Sequence, residues 1–411
     1  MKSMLNDAKK ICLNAISNCL PEEGVRKALK DLSIDRDVYL LAVGKAAFSM
    51  AKAASETVRV KKGIIISKYH HIPEKLENID NYEAGHPLVD GNSIIATEQA
   101  IRMCSGLKED DIVIFLLSGG ASALFESPLI PLEELRALNA QMLRKGLSIY
   151  EINAVRKKLS KVKGGRFADL CKPAKVYSII LSDVLSDRLD TIGSGPTVKD
   201  ESDADEALAI IDRYDLKIPE EVRDMIVNNT PGIADNGSCR LIGSIRMLCE
   251  SAVEEAEKLG YKAILLTDHI ESEAREAGDL LYEKIFEHLG DNKDIALIMG
   301  GETIVHVKGK GLGGRNQELV FSQLKKLSGM DNVLIMSLGS DGTDGPTDAA
   351  GGYADGSSYR KLLDKGGDFD AILNDNDSYH GLKLIDSLII TGATGTNVND
   401  ITLALIRKKE D

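Results

Sequence analysis

Short, uninterrupted apolar runs alternate along the chain with segments that show helical periodicity. Strands are predicted at 37–44, 63–67, 111–118, 175–183, 240–243, 263–268, 295–302, 333–341 and 387–392. Helices are predicted between them, at 45–57, 92–106, 131–146, 201–213, 245–259, 272–289, 315–326 and 397–408. Most strands are runs of Ile, Val and Leu without alternation, which is typical of strands buried on both faces of a parallel sheet. The repeated strand–helix order predicts an α/β fold with mainly parallel sheets.

Two segments depart from this pattern. Residues 305–309, "VHVKG", alternate in polarity and follow a Gly-Gly pair at hairpin spacing, so they predict a short antiparallel strand. Residues 214–239 combine a short helical stretch after a proline with a polar, glycine-containing stretch. Because 411 residues exceed what one core usually holds, we place a domain boundary there, which gives domains of 1–235 and 236–411.

Composition and charge narrow the function classes. The 51 basic and 64 acidic residues give a formal net charge of −13, which argues against nucleic-acid binding. No run approaches the roughly 18 to 20 apolar residues that span a bilayer. The first twenty residues show helical periodicity with internal charges and no secretory apolar block, so a cytoplasmic location is predicted. Six cysteines without a CxxC pair and seven histidines without HExxH predict reduced core thiols and no zinc site.

Small and polar residues follow nearly every predicted strand, which is where open parallel sheets bind ligands. They are Gly44 and Lys45; Ser118, Gly119, Gly120, Ala121 and Ser122; Asp183 and Asp187; Gly300, Gly301 and Glu302; and the segment 392–397. A purely structural α/β protein uses such residues as caps at a few turns and seldom at all of them. The pattern therefore predicts a ligand site at the carboxyl ends of the strands.

Two glycine-containing loops, "SGGASA" at 118–123 and "GATGTN" at 392–397, are candidate anion sites. Glycines let the backbone approach a ligand, and the amides at a helix N-terminus face an anion. The hydroxyl donors in these loops are Ser118, Ser122, Thr394 and Thr396, and the accompanying backbone is that of Gly119, Gly120, Ala121 and Gly395. A tight strand-to-helix turn explains either loop equally well when it is taken alone.

Two isolated cations stand at predicted helix starts. Lys45 opens an alanine-rich helix, where its charge opposes the helix dipole, so a bound phosphate or carboxylate would compensate it. Arg315 ends the glycine-rich segment "GKGLGGR", and a guanidinium there offers a bidentate clamp for such an anion. The alternative for Lys45 is a solvated first-turn lysine. Asn316 is a plausible N-cap of the same helix, and Glu318 is expected to reach back to it.

Clustered acids suggest a divalent cation. Asp183 and Asp187 lie four residues apart, and Asp341 lies among small residues together with Asp344 and Asp348. Carboxylates beside phosphate-binding glycines are typical of Mg²⁺, which takes one or two carboxylates with phosphate oxygens and waters. The alternative is a set of Asx-turns, which are common in Gly-Asp loops.

A basic tract, "VRKKLSKVKGGR" at 155–166, is unusual in so acidic a protein. A solvated helical face is the ordinary explanation of such a run. Against it, the tract ends in Gly-Gly-Arg, as does the segment that ends at Arg315. Some of these cations could therefore face a ligand, and the sequence leaves open which ones.

Several motifs in order resemble the class II glycerate kinases, the family with a MOFRL C-terminal domain. They are "VGKAA" (43–47), "GHPLVD" (85–90), "LLSGGASAL" (116–124), "NAVRKKLSKVKGGR" (153–166), "LSDV" (181–184), "IGSGPTV" (192–198), "GGET" (300–303), "GGRNQE" (313–318), "GSDGTDGPTDAAG" (339–351) and "TGATGTNVND" (391–400). Each motif is weak alone, whereas the ordered set spans most of the chain and is specific.

The resemblance implies ATP- and Mg²⁺-dependent phosphorylation of glycerate, most often to 2-phosphoglycerate, by two Rossmann-like α/β domains around an interdomain cleft. The active-site lysine and arginine of that family match Lys45 and Arg315. With the residues above, this predicts catalytic Lys45, Arg315 and Asp183; metal-binding Asp187 and Asp341; and substrate- or nucleotide-binding Ser118, Gly119, Gly120, Ala121, Ser122, Glu302, Asn316, Thr394, Gly395 and Thr396. The general base stays open among the aspartates.

Two other function classes remain to be separated from the kinase. A nicotinamide-dependent hydroxypyruvate reductase would want GxGxxG after the first strand, where "AVGKAAFSMA" has a single glycine. A non-catalytic phosphosugar sensor would keep the glycine loops but need no clustered acids. The expected partners are ATP and glycerate, with neither nucleic acid nor membrane, and a homodimer is the candidate assembly.

Overall fold

A computed structural model describes residues 2–185 and 188–408 of the chain. Its internal contacts divide these residues into two compact units. The first unit runs from 21 to 242 without 183–185, and the second contains 2–20, 183–185 and 243–408. This division differs from the predicted domains 1–235 and 236–411, because the first helix packs within the second unit and the strand after residue 236 extends the sheet of the first.

The helices are short to medium in length, and several have side-chain caps. They are α1 (Lys2–Asn18), α2 (Pro21–Leu32), α3 (Ala47–Ser55), α4 (Gly91–Cys104), α5 (Ala121–Leu124), α6 (Leu132–Arg144), α7 (Ile149–Lys158), α8 (Arg166–Leu170), α9 (Ala204–Arg213), α10 (Glu220–Asn228), α11 (Ile245–Lys258), α12 (Ala274–His288), α13 (Arg315–Ser322), α14 (Leu324–Leu327), α15 (Ser358–Asp364), α16 (Phe369–Asn374) and α17 (Ser378–Leu384). Capping boxes of Asp90 with Ser93 and of Ser148 with Glu151 begin α4 and α7, because these side chains satisfy amides that have no partner within the helix. None of the helices in residues 2–185 and 188–408 combines the length and apolar character needed to cross a bilayer.

The first unit is built on a six-stranded, doubly wound sheet. Its strands are β1 (Val38–Val43), β2 (Val60–Lys68), β3 (Ile79–Ala84), β4 (Ile112–Leu117), β5 (Lys175–Leu181) and β6 (Gly237–Gly243). Their order is β3-β2-β1-β4-β5-β6, and the pairs β3–β2, β2–β1, β1–β4 and β4–β5 are parallel. This is the Rossmann strand order, in which the topology switches direction between β1 and β4.

The second unit holds another six-stranded sheet. Its strands are β7 (Lys262–Ile270), β8 (Ile295–Gly301), β9 (Val333–Gly339), β10 (Gly351–Asp355), β11 (Leu388–Ile389) and β12 (Asp400–Ile406), in the order β11-β10-β9-β12-β8-β7. Here β7 and β8 are parallel, whereas β12 is antiparallel to β8 and β9, and β10 is antiparallel to β9 and β11. The α/β class is confirmed, but this sheet differs from the mainly parallel pairing expected, because the chain joins β9 to β10 by a loop without a crossover helix.

Three local predictions are corrected in the second unit. The predicted helix at 397–408 is wrong: "DITLALI" forms β12, and all seven residues are buried between two neighbouring strands. A short apolar run fits a buried strand as well as a buried helix, and only the neighbours decide. Residues 305–309 form no strand; the adjacent Ile304 makes a single bridge with Glu273. The predicted strand at 387–392 shrinks to the two residues of β11.

Candidate active site

Lys45 lies at the switch point of the first sheet. It directly follows β1 and Gly44, and its amide donates a hydrogen bond to the carbonyl of Gly119, which follows β4, at 2.9 Å. The amide of Ala46 donates to Oγ of Ser118 at 3.1 Å. These bonds hold the carboxyl ends of β1 and β4 together, at the place where doubly wound sheets bind ligands. The structure therefore brings Lys45 and the "SGG" loop together.

Glycine is required in these loops by the protein's own packing. Gly44 has a φ of +122°, and a Cβ atom there would lie 2.2 Å from Oγ of Ser118. Gly120 has a φ of +89°, and a Cβ atom there would lie 3.0 Å from Cδ2 of His86. The following helix α5 spans only Ala121 to Leu124, so the expected dipole of a long helix is absent at this loop. Any contribution to anion binding would come from the loop itself and from Lys45.

His86 is a residue of this region that the sequence reasoning did not single out. Its imidazole is half-buried beside Gly120. Burial lowers the pKa of His86, and the nearby charge of Lys45 lowers it further. The motif "GHPLVD" contains the residue, but no spacing in the sequence places it next to Gly120.

The basic tract at 155–166 is largely interior, so the solvated-face explanation is wrong for most of it. Lys158 is fully buried and donates to Asp200 at 2.8 Å. Lys163 is also fully buried, where it donates to the carbonyl of Ser122 at 2.8 Å and pairs with Glu126 at 3.3 Å. Burial lowers the pKa of Lys163, whereas the negative charge of Glu126 raises it by a smaller amount. Lys163 therefore stabilises the loop after β4 through its hydrogen bond to Ser122.

Arg315 is the first residue of α13, as predicted, and acidic side chains surround its guanidinium. Nε and one Nη donate to the two carboxylate oxygens of Asp400, the latter at 3.0 Å. The other Nη lies 3.1 Å from Oε1 of Glu302. The Arg315 side chain is 33% exposed and that of Asp400 only 7%, whereas Glu302 is 48% exposed. The geometry is a guanidinium fixed on one side and accessible on the other.

Asp400 was missed because its segment was predicted to be helical. It begins β12 and lies opposite Gly301 on β8 and Gly339 on β9, two positions without side chains. Burial raises the pKa of Asp400 to about 6, although the attraction of Arg315 opposes this shift. Burial also disfavours the charge of Arg315, but the hydrogen bonds and charge of Asp400 outweigh it and raise its pKa.

Asn316 and Glu318 do not form the predicted cap. Gly314 occupies the N-cap position, and the buried carboxylate of Asp344 accepts the amides of Asn316 at 3.2 Å and Gln317 at 2.9 Å. The Asn316 side chain is buried, and its Oδ1 accepts a hydrogen bond from Ser337 at 2.6 Å. Glu318 pairs with Arg275 at 2.8 Å and accepts from Asn376. A carboxylate distant in sequence therefore does the capping.

The glycine-rich segment before Arg315 packs against another loop of the same unit. The amides of Lys308 and Gly309 donate to Oδ1 of Asn376, and those of Lys310 and Leu312 donate to the carboxylates of Asp375 and Asp377. A Cβ atom on Gly309 would lie 2.2 Å from the carbonyl oxygen of Asp375. These glycines therefore permit close packing of two loops, and the bonded amides face the protein.

The loop at 391–397 precedes strand β12, where a helix was expected. The hydroxyl of Thr394 donates to the carbonyl of Ser340, and that of Thr396 donates to the carbonyl of Cys19 at 2.8 Å. Gly395 adopts a φ of +90° and is exposed. Both threonine hydroxyls are thus engaged with the chain itself, and no helix N-terminus lies here.

The described acids that were considered for a metal ion are Asp183 and Asp341. Asp341 is half-buried, and its carboxylate accepts the amide and hydroxyl of Thr343 at 2.9 and 3.0 Å, which is an Asx-turn. Asp183 lies half-buried just after β5, and Asp187 lies outside the described residues. In the part of the chain that the structure describes, no group of three or more acidic, histidine or cysteine side chains could hold a metal. A Mg²⁺ ion held largely by phosphate oxygens and waters needs only one or two protein carboxylates.

Comparison with known proteins gives matches along the chain. Residues 7–227 match a domain of unknown function, DUF4147, and residues 295–400 match the MOFRL family. The chain is 46% identical to D-glycerate 2-kinase from Thermotoga maritima, over 98% of this chain and 99% of that protein. It is 40% identical to glycerate 2-kinase from Pyrococcus horikoshii, over 98% and 94% of the two chains. The crystal structure of glycerate kinase from Thermotoga maritima superimposes with a TM-score of 0.95 and 45% identity, over 99% of this chain and all of that one.

Proposed function

Because this chain belongs to the class II glycerate kinase family, with DUF4147 and MOFRL regions in that order, we propose that it phosphorylates D-glycerate with ATP to give 2-phospho-D-glycerate. The observation that carries the proposal is the likeness to D-glycerate 2-kinase over nearly the whole length of both chains. Lys45 at the switch point of the first sheet and Arg315 at the start of α13 supply the cations that such a reaction uses.

Phosphoryl transfer asks a protein mainly for positioning and charge neutralisation. A glycerate hydroxyl oxygen forms a bond to the γ-phosphorus of ATP, the bond from that phosphorus to the ADP oxygen breaks, and the hydroxyl proton passes to a base. Lys45 would hold a carboxylate or phosphate at the switch point. Arg315, oriented by Asp400, would stabilise negative charge on the transferring group through its accessible edge. Asp183 is the candidate base.

Mg²⁺ is part of the proposal. When it is bound with ATP, the ion neutralises charge on the phosphate groups. Asp341 is the described residue that would hold it, together with Asp187. The substrate- and nucleotide-binding roles of Ser118–Ser122, Glu302, Asn316 and Thr394–Thr396 also stay predictions. Among the polar side chains of this set, those of Ser122 and Glu302 combine accessibility with the fewest bonds to the chain itself.

A coupled product assay tests the function. The protein is supplied with D-glycerate, ATP and Mg²⁺, and enolase is added as the coupling enzyme. Direct coupling to enolase indicates the 2-phosphate, whereas a requirement for a phosphoglycerate mutase indicates the 3-phosphate. Absence of glycerate-dependent ADP formation contradicts the proposal.

The reductase alternative has weaker support. A dinucleotide would need several glycines at the turn after β1, where the structure has Gly44 followed by the side chain of Lys45. A fall in NADH absorbance when hydroxypyruvate is added would favour the reductase. We infer a cytoplasmic enzyme, which agrees with its six free cysteines. Light scattering would test the predicted homodimer.

A further inference from the structure

The loop after β3 reaches across the end of the first sheet. β3 is the edge strand, and β2 and β1 separate it from β4. His86 follows β3 by only two residues, yet it lies beside Gly120, three residues beyond β4. Neighbouring strands are about 4.8 Å apart, so the loop must lean over the ends of β2 and β1 to bring the imidazole there.

Three side-chain positions meet at this point. A Cβ atom on Gly120 would lie 3.0 Å from Cδ2 and 3.1 Å from Nε2 of His86, and 3.6 Å from Cγ of Lys45. A side chain at Gly120 would therefore collide with the imidazole and touch the lysine. The absence of a side chain at Gly120 therefore lets the imidazole of His86 and the stem of Lys45 lie against the same loop.

The loop that carries His86 is held by specific bonds. The carboxylate of Asp90 accepts the hydroxyl of Tyr69 at 2.6 Å and the amide of Ser93 at 2.9 Å, which begins α4. Nε of Arg136 donates to the carbonyl of Val89 at 2.9 Å. A group whose supporting loop is fixed in this way can recognise a ligand without first being ordered.

Burial and the neighbouring positive charges favour the neutral form of the His86 imidazole. No hydrogen bond among residues 2–185 and 188–408 involves the His86 imidazole. Burial lowers its pKa most, followed by the charges of Lys45, Lys68 and His71. At neutral pH one ring nitrogen donates and the other accepts, while Lys45 supplies the positive charge. A lowered pKa also makes the ring a weaker proton acceptor, which favours recognition over base catalysis.

We propose that Lys45 and His86 together recognise the hydroxy-acid substrate, with Lys45 binding the carboxylate and His86 hydrogen-bonding the 3-hydroxyl, the one that is not phosphorylated. This rests on the proposed function and deepens it, because it places glycerate at the switch point of the first sheet. A carboxylate only accepts hydrogen bonds and pairs with an ammonium group, whereas a hydroxyl donates and accepts, as a neutral imidazole does. The nucleophilic 2-hydroxyl stays free to face ATP.

D-Lactate provides the test, because it keeps the carboxylate and 2-hydroxyl of D-glycerate and lacks the 3-hydroxyl. We expect His86→Ala to raise the KM for D-glycerate about tenfold, the loss of one hydrogen bond of about 1.4 kcal/mol. The inhibition constant of D-lactate and the KM for ATP should stay unchanged. His86→Gln should recover part of the loss, because its amide also donates and accepts. His70→Ala, which removes an exposed imidazole from the segment after β2, is the matched control and should behave as wild type.

The outcomes are separable. If wild-type protein does not phosphorylate D-glycerate, the proposed function fails and this inference falls with it. If wild type is active and His86→Ala leaves the KM for glycerate unchanged, only the inference fails. The inference also fails if His86→Ala weakens the binding of D-glycerate and of D-lactate equally, because a general disturbance of the site would weaken both. Thermal unfolding of each variant shows whether the fold is retained, and His86→Gln carries the test if His86→Ala does not fold.

Discussion

Arg315 is bonded to two acids that differ in character. Asp400 is buried and holds the guanidinium through two parallel bonds, a geometry that fixes its orientation. Glu302 is about half exposed and makes a single contact, and exposed ion pairs of this kind contribute little free energy. An arriving phosphate could therefore replace Glu302 while Asp400 keeps the arginine in place. Arg315 thus has one buried partner and one exposed partner.

The first prediction concerns Arg315 itself. We expect Arg315→Ala to lose roughly 10³-fold in kcat, because an arginine that stabilises a transferring phosphoryl group contributes on that scale. The coupled assay measures kcat, and circular dichroism checks that folding survives. Arg315→Lys keeps the charge without the bidentate geometry and should recover only part of the rate. Near-normal turnover of the alanine variant would remove Arg315 from the mechanism.

The second prediction concerns the pH dependence that Asp400 confers. Its pKa is raised to about 6 by burial, so below that pH the protonated group no longer offers Arg315 two anionic oxygens. The advantage of wild type over Asp400→Asn in kcat/KM should be full at pH values above about 7 and shrink as pH falls through about 6. Taking the ratio cancels the titration of ATP, which both proteins share. A ratio that is constant with pH would exclude Asp400 as the titrating group. The charged neighbours of Asp400 are Arg315 and Asp344.

Helix α13 depends on a side chain from another element for its first turn. Asp344 lies in the loop between β9 and β10, and its carboxylate bonds the amides of Asn316 and Gln317 and the side-chain amide of Gln317. A Cβ atom at Gly314 would lie 2.3 Å from the Asp344 carboxyl carbon, which explains the glycine at the N-cap. The element that presents Arg315 is thus anchored by a residue 28 positions along the chain.

The third prediction tests this anchor. We expect Asp344→Ala to lower the free energy of unfolding by about 1–2 kcal/mol, because helix amides lose their acceptor. Urea denaturation measures the loss. Exposed Asp348→Ala, in the same loop, is a weaker perturbation that removes a single bond to Tyr379 and serves as the control. Equal effects of the two substitutions would show that the cap contributes nothing particular.

At the scale of the whole molecule, charge is distributed unevenly. The chain carries a net charge of −13, yet the first unit buries Lys157, Lys158 and Lys163. Asp200 lies 2.8 Å from Nζ of Lys158 and 3.3 Å from Nζ of Lys157 and is itself buried. Two interior ammonium groups therefore share the carboxylate of Asp200, and Nζ of Lys157 also lies 3.1 Å from Asp190. Such a network is costly to break, because removing one member leaves a buried charge without its partner.

The fourth prediction compares a buried and a half-exposed ion-pair partner of the basic tract at 155–166. We expect Asp200→Ala to destabilise the protein by about 3–5 kcal/mol, since Lys157 and Lys158 stay buried without their shared acid. Lys161→Ala, which removes a half-exposed pair with Glu98, should cost less than about 1 kcal/mol. Chemical denaturation of both variants measures the two losses in the free energy of unfolding. A small effect of Asp200→Ala would mean that water or Asp190 takes over its role.

The sequence by itself determined what short-range pattern can determine. Continuous Ile, Val and Leu runs predicted the strands from β1 to β9 except β3, because burial on both faces imposes that composition. Lys45 and the "SGG" loop were found because the carboxyl ends of parallel strands follow directly from strand prediction. The glycerate kinase resemblance also came from the ordered motifs, and the comparisons confirm it.

Only the tertiary structure decided which residues are partners. Arg315 with Asp400, Gly120 with His86, and α13 with Asp344 join positions 28 or more residues apart, and no local spacing encodes those distances. The glycines before Arg315 had the composition of a phosphate loop, but their close neighbour is the loop at 375–377. β12 was read as a helix because a seven-residue apolar run satisfies either period, and the flanking strands β8 and β9 settle it. Local periodicity sets what an element can be, whereas long-range packing selects what it becomes and which side chains it brings together.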